Sequence, residues 1–460
     1  MKLRRLIPAL LLAAALLLSC GAAAFADPSA FSLQLRIGEK TATVRALQNE
    51  YPANYYLSLT DLSAALDGTP KSFRFTYQNT TADGEFFTVS TGQSSAAWSG
   101  AGRATENPWL SSFNPFRNRI FVDGLERRYY TYREGQDLYM SLTDLQLMLD
   151  MPAELEEGAV RLFPDQRFSP DVKELEEQGY FDCFSAVLLA DADTGAILFA
   201  RNASDPVPIA SISKLMTYLL LAEAADRGEI SFYGSVAASE EAAALSRGVD
   251  SMVTLEAGTA YPFQDLLGAM LLASSNECAL ALAEHLAGSE EAFVERMNQR
   301  AQELGLESAH FYNPHGLPVY LRQSLTNKVQ NVMSAEDLFT LCQVLLRDHP
   351  GLTRITRERY GSMPSLKYVT ANSNAVVFNL EGCNGLKTGS TNKAGSCLAA
   401  SLPVTVGGET HTAVAIVLGA ETAFARNQAT EILLRYARDS WRAEGFVRPE
   451  EPEKLPEQGE

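Results

Sequence analysis

The pattern of apolar and polar positions divides the chain into two parts with different periods. Between about residues 30 and 165, apolar residues alternate with polar ones, as in Phe31–Ile37, Phe73–Tyr77 and Phe86–Ser90. A period of two predicts strands that bury one face. From about Cys183 onward, apolar-rich stretches of helical length alternate with shorter runs typical of strands. The sequence therefore predicts an α+β protein with a strand-rich first part and a mixed second part.

The strand-rich part contains an internal repeat. Tyr56–Leu62 (YLSLTDL) recurs as Tyr139–Leu145 (YMSLTDL), and each copy is followed by a short apolar stretch that ends near Leu66 or Leu149. A Ser/Thr-Asp pair before an apolar run is typical of a helix start. The repeat predicts two copies of a small strand–helix–strand unit, with the Gly- and Ser-rich segment Ser94–Asn107 as the loop between them.

The second part is predicted to alternate helices with strands. The polar segment Phe168–Gly179 precedes it as a linker with a short helix. Helices are predicted over Ser211–Asp226, Phe263–Ala273, Cys278–Ala287, Glu290–Leu304, Ala335–Leu346 and Arg426–Trp441, and strands over Ser185–Ala190, Ile197–Ala200, Leu398–Val406 and His411–Leu418. The predicted order is a signal peptide (1–26), an accessory domain (27–165), the linker (166–180), a larger domain (181–445) and a disordered acidic tail (446–460).

The first 26 residues have the features of an export signal. Three basic residues precede the apolar run Leu6–Leu18, whose 13 residues are too few for an ordinary membrane-spanning helix. Ala24 and Ala26 supply the small residues that a signal peptidase reads. We expect cleavage after Ala26. The alternative is cleavage before Cys20, because Leu17–Cys20 resembles a lipobox and would leave a lipid-bearing cysteine. Either route predicts an extracytoplasmic protein of the cell envelope.

The charge balance excludes several classes of function. The chain has 38 basic and 56 acidic residues and a formal net charge of −18. A nucleic-acid-binding protein needs a basic footprint, and so does a protein that docks on anionic lipid. The N-terminal run is the only long apolar stretch, so a membrane-spanning bundle is also excluded.

Cysteines and histidines predict neither a disulfide framework nor a metal site. Once Cys20 is set aside with the signal, five cysteines remain, and none belongs to a CxxC pair. Cys278 and Cys342 lie in helical apolar patterns and are predicted to pack in the core, whereas pairing of Cys383 with Cys397 stays open. The five histidines are scattered without an HExxH pattern, so we expect no metal and no cofactor.

Three short motifs carry the candidate chemistry. They are Ser211–Lys214 (SISK), Ser274–Asn276 (SSN) and Lys387–Gly389 (KTG), in that order. Each is weak alone, and the chain also holds the decoys Ser390–Lys393 and Ser112–Asn114. The first motif opens an apolar helix, in which positions i and i+3 share a face, so its lysine can reach its serine. The order and context therefore indicate one site.

The residue types of these motifs suit acyl transfer. A serine hydroxyl is a poor nucleophile until a base takes its proton, and a lysine can be that base when burial and nearby positive charge lower its pKa. Lys387 is expected to supply that charge to Lys214. The N-terminus of the Ser211 helix offers N–H groups for an oxyanion. Lys387 and Thr388 suit a substrate carboxylate, and Gly389 allows a close approach of the strand to the substrate.

Each motif also has a purely structural interpretation. Ser211 would be a helix N-cap and Lys214 an exposed helix residue. Ser274 would cap the helix that begins near Asn276, and Lys387–Gly389 would be a turn. The structural interpretations of all three motifs would have to hold at once, with the motifs in this order only by chance. We therefore favour the catalytic interpretation.

Longer sequence words around the motifs resemble a known family. Pro208–Thr217 (PIASISKLMT), Leu272–Cys278 (LASSNEC), Phe311–Leu317 (FYNPHGL) and Gly385–Gly395 (GLKTGSTNKAG) are similar to those of serine-type D-alanyl-D-alanine carboxypeptidases, the low-molecular-mass penicillin-binding proteins. The resemblance covers about residues 183–440. It implies a penicillin-binding-protein/β-lactamase-like fold, with an antiparallel sheet flanked by helices and a mainly helical subdomain that carries the middle motif.

The resemblance implies roles for four catalytic residues. Ser211 would be the acylated nucleophile and Lys214 its general base. Ser274 and Asn276 would line the cleft, relaying a proton and orienting the substrate. The middle motif departs from the family, which usually has SGNDA where this chain has SSNEC, so the shape of the cleft is expected to differ.

The resemblance also implies the substrate-binding residues, Lys387, Thr388, Gly389 and Ser390. Lys387 and Thr388 would hold the terminal carboxylate, and the N–H groups of Ser211 and Ser390 would form the oxyanion hole. The implied reaction removes the terminal D-alanine from peptidoglycan stem peptides through an acyl-enzyme, and β-lactams would acylate the same serine. The alternatives are a β-lactamase, an endopeptidase that cuts cross-links, or a non-catalytic wall-binding or regulatory protein.

The strand-rich part resembles the duplicated module at the N-terminus of copper amine oxidases, which is also appended to exported Gram-positive envelope proteins. Residues 27–165 hold no nucleophile–base pair. We expect them to act as a spacer or to bind the wall or an envelope partner, and the alternative is that they stabilise the larger domain. Many relatives carry their additional β-rich domain and a membrane-binding helix after the catalytic part, so attachment through a C-terminal helix is not expected here.

Overall fold

The computed structural model describes residues 29–50, 53–82, 84–94, 118–320 and 328–446. The predicted signal peptide, the predicted loop after Ser94, the decoy Ser112–Asn114 and the tail beyond residue 446 lie outside these ranges. None of the helices in the described ranges has the length and apolar character needed to cross a membrane.

The chain forms two compact units. The first takes in the chain up to Ser185 together with Asn372–Glu381 and Ala420–Ile432. The second holds Ala186–Ala371, Gly382–Gly419 and the chain from Leu433 onward. The predicted domain boundaries differ from this division, because they place Asn372–Glu381 and Ala420–Ile432 in the larger domain, 181–445.

The first unit is built from two sheets. Its elements are β1 (Ser29–Ile37), β2 (Lys40–Glu50), β3 (Ala53–Ser58), α1 (Leu59–Ala65), β4 (Phe73–Thr80), β5 (Gly84–Thr91), β6 (Ile120–Val122), β7 (Leu125–Arg127), β8 (Thr131–Glu134), β9 (Asp137–Ser141), α2 (Leu142–Leu149), β10 (Ala153–Glu156), β11 (Ala159–Leu162) and α3 (Val172–Glu177), with a short helix at Val376–Asn379. The seven-stranded sheet has the order β10-β11-β1-β2-β3-β9-β8, and the four-stranded sheet has the order β4-β5-β6-β7.

The sequence repeat pairs with itself in the larger of these sheets. β3 and β9 run antiparallel, with Leu57 opposite Met140. Each strand ends in a serine that caps the following helix: the Ser58 hydroxyl accepts from the Asp61 N–H, and the Ser141 hydroxyl accepts from the Asp144 N–H. The strand-then-helix order predicted from the repeat is therefore confirmed in both copies, because the same local capping chemistry acts in each.

The segment Asn372–Glu381 joins the first unit through hydrogen bonds that imitate a strand pair. The Asn379 side chain accepts from the Arg128 N–H at 2.7 Å and donates to the Arg128 carbonyl at 2.9 Å. Arg127 donates to the Phe378 carbonyl at 2.6 Å. The side-chain contacts of Asn379 and Arg127 have no periodic signal in the sequence.

The segment predicted as a linker contains the expected short helix, α3, and Val172 on this helix is buried.

The second unit is a five-stranded sheet with helices. Its strands are β12 (Ala186–Asp191), β13 (Ile197–Arg201), β14 (Val207–Pro208), β15 (Ser235–Ala237), β16 (Ala260–Pro262), β17 (Val319–Tyr320), β18 (Lys328–Val329), β19 (Val332–Met333), β20 (Tyr360–Met363), β21 (Tyr368–Ala371), β22 (Gly385–Thr391), β23 (Gly395–Val406) and β24 (Glu409–Ala420). The main sheet has the order β13-β12-β24-β23-β22, and the remaining strands form two-stranded pairs.

The helices of the second unit follow the predicted order. They are α4 (Lys214–Asp226), α5 (Glu240–Leu245), α6 (Phe263–Gly268), α7 (Asn276–Ala287), α8 (Glu290–Glu303), α9 (Ala335–Asp348) and α10 (Gly351–Thr356), and the closing helix α11 (Ala423–Glu444) begins in the segment assigned to the first unit. The helix predicted over Phe263–Ala273 ends as a π-helical turn at Ala269–Ala273. The five cysteines in the described ranges are thiols, so Cys383 and Cys397 form no disulfide with each other.

Candidate active site

The candidate nucleophile lies in a tight turn at the start of a buried helix. Ala210–Ser213 is a 3₁₀ turn that leads directly into α4. Ala210 has a φ of +49°, a conformation that costs energy for a residue with a Cβ and often occurs at functional sites. The Ser213 hydroxyl donates to the Ala210 carbonyl at 2.7 Å and closes the turn. Ser211 caps neither helix, so the N-cap interpretation does not hold and its hydroxyl stays available.

Lys214 lies beside this serine and is fully buried, with 0% of its surface exposed. Its Nζ is 3.0 Å from the Ser211 Oγ, 2.8 Å from the Asn276 Oδ1 and 2.7 Å from the His315 carbonyl oxygen. Burial holds the pKa of Lys214 well below its usual range, and the positive charge of Lys387 lowers it further. The interpretation of Lys214 as an exposed helix residue is wrong, and a neutral amine next to a serine hydroxyl can take its proton.

The middle motif brings its third residue, Asn276, to this amine after a change of backbone direction at Ser274. Ser274 follows the π-helical turn with a φ of +65°, and Ser275, not Ser274, caps α7 by accepting from the Cys278 N–H at 3.1 Å. The capping interpretation of Ser274 is therefore wrong. Asn276 accepts from Lys214 with its Oδ1 and donates with its Nδ2 to the Asp250 carbonyl at 3.1 Å.

The third motif lies on β22, which is an edge strand of the five-stranded sheet. The turn interpretation is wrong, because Gly385–Thr391 pairs in continuous register with β23. Lys387 and Thr388 are buried, and Ser390 at the end of the motif is exposed. The Lys387 Nζ donates to the Thr388 carbonyl at 2.9 Å. The decoy that starts at Ser390 lies on this strand and the turn after it, so it has no helix to bring Lys393 beside it.

Two glycines let other segments approach the backbone of the nucleophile. A Cβ added to Gly389 would lie 2.9 Å from the Ser211 nitrogen and 2.8 Å from the Ile209 oxygen. A Cβ added to Gly316 would lie 2.0 Å from the Ala210 oxygen, and Gly316 has a φ of +91°. Gly389 therefore allows β22 to approach the turn that carries Ser211. The sequence predicted a close approach to the substrate at Gly389, but not this approach to another segment of the protein.

The loop 311–317 supplies a contact that sequence reasoning missed. Its carbonyl at His315 accepts from Lys214, and its Pro314 carbonyl accepts from the Thr217 hydroxyl at 2.6 Å. Asn331 ties the loop to the nucleophile turn by donating to the Asn313 carbonyl at 2.9 Å and to the Ser213 hydroxyl at 2.8 Å. The only available signal was the FYNPHGL word itself, because a backbone carbonyl contributes no residue type to a motif.

Ser211, Lys214 and Asn276 are thus joined by direct contacts, Lys387 acts on Lys214 through its charge, and Gly389 contacts the Ser211 backbone. A serine beside a buried lysine at the start of a helix, with an edge strand next to it, is typical of the class of penicillin-binding-protein/β-lactamase-like folds. The fold prediction is confirmed by solved structures. The chain is similar to a peptidoglycan synthesis regulatory factor (PBP3) from Streptococcus pneumoniae, with 29% identity, a TM-score of 0.51, and coverage of 55% of this chain and 71% of that one.

Sequence comparison identifies the family. The family model of D-alanyl-D-alanine carboxypeptidases, Peptidase_S11, matches residues 176–422. The chain is 34% identical over 256 residues to the D-alanyl-D-alanine carboxypeptidase DacF of Bacillus subtilis (strain 168), over 55% of this chain and 61% of that protein. A second solved structure, penicillin binding protein 5 from Haemophilus influenzae, has 28% identity and a TM-score of 0.50, with 55% and 70% coverage. The chain belongs to the D-alanyl-D-alanine carboxypeptidase family, although it spans less than two thirds of the length of DacF.

Proposed function

We propose that this protein is a serine D-alanyl-D-alanine carboxypeptidase that removes the terminal D-alanine from peptidoglycan stem peptides. The observation that carries the proposal is the fully buried Lys214 amine, 3.0 Å from the Ser211 hydroxyl. Family membership supports the substrate class. Burial and the nearby Lys387 charge both favour a neutral amine, which is the form that a general base requires.

The first half of the reaction forms an acyl-enzyme. Lys214 takes the proton from the Ser211 Oγ as that oxygen bonds to the carbonyl carbon of the penultimate D-alanine. The oxyanion accepts from the N–H groups of Ser211 and Ser390. When the tetrahedral intermediate collapses, the peptide C–N bond breaks and the leaving amine receives a proton relayed from Lys214 through Ser274, which releases D-alanine.

The second half of the reaction frees the enzyme. Water attacks the ester carbonyl, its proton passes to the Lys214 amine, and the ester C–O bond breaks. The Ser211 oxygen regains the proton from Lys214. A β-lactam would follow the first half and leave an acyl group on the same oxygen.

Substrate recognition depends on the third motif. β22 is an edge strand, and an extended peptide can add to the edge of a sheet as a further strand. The Lys387 ammonium and the Thr388 hydroxyl suit the terminal carboxylate of that peptide, since charge-assisted hydrogen bonds are the stronger kind. Gly389 and Ser390 continue the same strand.

Labelling with a fluorescent penicillin tests the proposal. The label should map by peptide mass spectrometry to Ser211, and Ser211→Ala should abolish it without changing the thermal midpoint. Ser390→Ala is the matched control, because it alters the decoy serine but keeps its N–H, and it should still be labelled. A label on Ser390, or one that survives Ser211→Ala, contradicts the assignment.

The first unit is proposed to serve as a duplicated envelope-binding or spacing module of the copper amine oxidase N-terminal type, within the predicted residues 27–165. Its internal duplication supports this, since Leu57 and Met140 pair the two copies in one sheet. A variant of the full chain with Phe86→Ser and Phe121→Ser, two half-buried rings 5.5 Å apart, should lose retention on isolated cell walls but keep turnover of a small D-Ala-D-Ala peptide. Unchanged retention would favour a purely stabilising role.

An extracytoplasmic location completes the proposal. The features of residues 1–26 support export with cleavage after Ala26, and a lipid on Cys20 is the alternative. Mass spectrometry of the mature N-terminus distinguishes a chain that starts at residue 27 from one that starts with a lipidated cysteine.

A further inference from the structure

Glu277 is a buried carboxylate directly after the middle motif. It is the second residue of α7 and has 0% of its surface exposed. Its Oε1 accepts from the N–H groups of Met252 at 2.8 Å and Val253 at 2.6 Å. Its Oε2 is buried and has no hydrogen-bond partner among the described residues. Burying a carboxylate oxygen without a hydrogen-bond partner costs free energy, and the family usually has aspartate at this position. Packing alone therefore does not explain Glu277.

The two N–H groups belong to the loop Gly248–Val253, which also contacts the active site. The Asp250 carbonyl of this loop accepts from the Asn276 Nδ2 at 3.1 Å. That contact fixes the orientation of the Asn276 amide, because its Oδ1 must then face the Lys214 Nζ, at 2.8 Å. An amide without the Asp250 carbonyl could rotate by half a turn and donate to the lone pair of the neutral Lys214 amine, which the amine needs in order to take the Ser211 proton.

Glu277 also acts on Lys214 through its charge. The titratable groups that face Lys214 are Lys387 on β22, Glu277 and Cys278 on α7, and His315 in the loop 311–317. Lys387 lowers the pKa of Lys214, and Glu277 raises it, although burial is the largest cause and keeps that pKa low. The carboxylate therefore binds the loop through hydrogen bonds and acts on the base through its charge.

We propose that Glu277 is a positioning residue for the acylation step: it holds the loop Gly248–Val253 against the Asn276 amide and so directs the Lys214 amine toward Ser211. This inference rests on the proposed function, since it names a further residue of the same site. It explains why the chain has Glu here, because the longer side chain reaches two N–H groups of a separate loop. Aspartate, one methylene shorter, would lose that reach.

The test measures the acylation rate constant of the full-length protein with a fluorescent penicillin across pH, together with final labelling stoichiometry and thermal midpoint. Glu277→Asp should slow acylation roughly ten-fold or more at the plateau of the pH profile, because it leaves the loop unanchored. Glu277→Gln keeps an acceptor oxygen but removes the charge, so the pKa of Lys214 falls and the acid limb of the profile moves to lower pH. Both variants should still reach full labelling.

Asp337→Asn is the matched control. Its carboxylate also accepts a backbone N–H, from Ser308 at 2.7 Å, but it lies on α9 and contacts none of the three motifs. This variant should keep the wild-type rate and acid limb. If Glu277→Asp fails to fold, the plateau rate of Glu277→Gln decides: a neutral amide oxygen holds the Met252 and Val253 N–H groups less strongly than a carboxylate, so that rate should fall by more than two-fold.

Two results would overturn the inference. Rates within two-fold of wild type for both Glu277 variants, with an unmoved acid limb, would overturn it while Ser211 labelling of the wild type upheld the proposed function. A wild-type protein that is not labelled at Ser211 would overturn both together.

Discussion

A half-buried arginine in the first unit and a fully buried lysine in the second unit have opposite surroundings. In the first unit, Arg45 donates to Asp61 at 2.9 Å and to Asp137 at 2.7 Å, and Asp137 also accepts from the Ser58 and Thr60 hydroxyls. In the second unit, Lys214 is fully buried and its three close contacts are neutral oxygens.

The surroundings of Arg45 stabilise its positive charge, whereas those of Lys214 disfavour a positive charge. Asp61 and Asp137 raise the pKa of Arg45 and keep it charged, so the cluster ties β2, β3 and β9 together. The environment of Lys214 offers hydrogen bonds but also a like charge, Lys387, which lowers its pKa. A buried basic group is thus a functional candidate when its neighbours disfavour its charge, and a structural one when they neutralise it.

Replacing the reactive group gives the largest expected effect. Lys214→Met should slow acylation by roughly 10²- to 10⁴-fold, the usual contribution of a general base. The thermal midpoint should change little, because the gain from removing a desolvated amine offsets the loss of its hydrogen bonds to the Asn276 and His315 oxygens. Stopped-flow labelling and thermal unfolding measure the two effects. A large fall in the midpoint would show that Lys214 is structural and would remove the contrast with Arg45.

Replacing the structural group should give the reverse result. Arg45→Met leaves Asp61 and Asp137 without their cation, which should lower the free energy of unfolding by about 1–3 kcal/mol, since Arg45 itself is only half-buried. The acylation rate of the folded protein should not change. Denaturant unfolding and penicillin labelling check the pair of expectations, and a slowed acylation with unchanged stability would contradict them.

The two copies of the repeat offer a finer comparison. Asp61 has Arg45 as a partner, whereas its counterpart Asp144 is buried beside Gln428, and burial raises its pKa to about 7. The folded state therefore binds the Asp144 proton more tightly than the unfolded chain, whose carboxyl titrates near 4. Stability should be full below about pH 4 and fall by a few kcal/mol as the pH rises toward 7.

Asp144→Asn tests this pH dependence. The variant cannot lose a proton, so its free energy of unfolding should be nearly flat over the same pH range. Unfolding by denaturant at several pH values, for wild type and variant, makes the measurement. Parallel curves for the two proteins would show that another group controls the slope.

Recognition of the substrate carboxylate is expected to have a smaller effect. A peptide that ends in an amide should be cleaved roughly 10- to 150-fold more slowly than the free acid, which corresponds to a loss of about 1.5–3 kcal/mol. Thr388→Val should lower the cleavage rate of the free-acid peptide and so reduce the ratio of the free-acid rate to the amide rate. Equal rates on acid and amide would exclude Lys387 and Thr388 from carboxylate binding.

The smallest expected effect is a shift in the pH profile. Lys387→Met removes a positive charge from the surroundings of Lys214, so the pKa of Lys214 should rise. Protonation then disables the base at a higher pH, and the acid limb of acylation should move upward by about one pH unit or less. The position of the acid limb is the readout, because the variant is also expected to weaken substrate binding. A downward shift would contradict the sign of the interaction.

Local chemistry in the sequence was sufficient for a large part of this protein. The alternation in β1, the capping serines Ser58 and Ser141, and the spacing of Ser211 and Lys214 on one helical turn all depend on residues close in the chain. Such features follow from backbone geometry, in which strands repeat every two residues and helices bring i and i+3 together.

Tertiary packing decided the rest. The His315 carbonyl that receives Lys214 lies 101 residues away in the chain, and the Asn276 amide lies 62 residues away. The Glu277 carboxylate accepts from the Met252 N–H, and Gly316 lies close to the Ala210 carbonyl. In both cases the partner is a backbone group, and a backbone group contributes no residue type to a motif. The sequence by itself thus determined which side chains could react, because reactivity belongs to residue types. The tertiary structure alone decided which backbone groups hold and desolvate them, because those contacts arise only when distant segments pack.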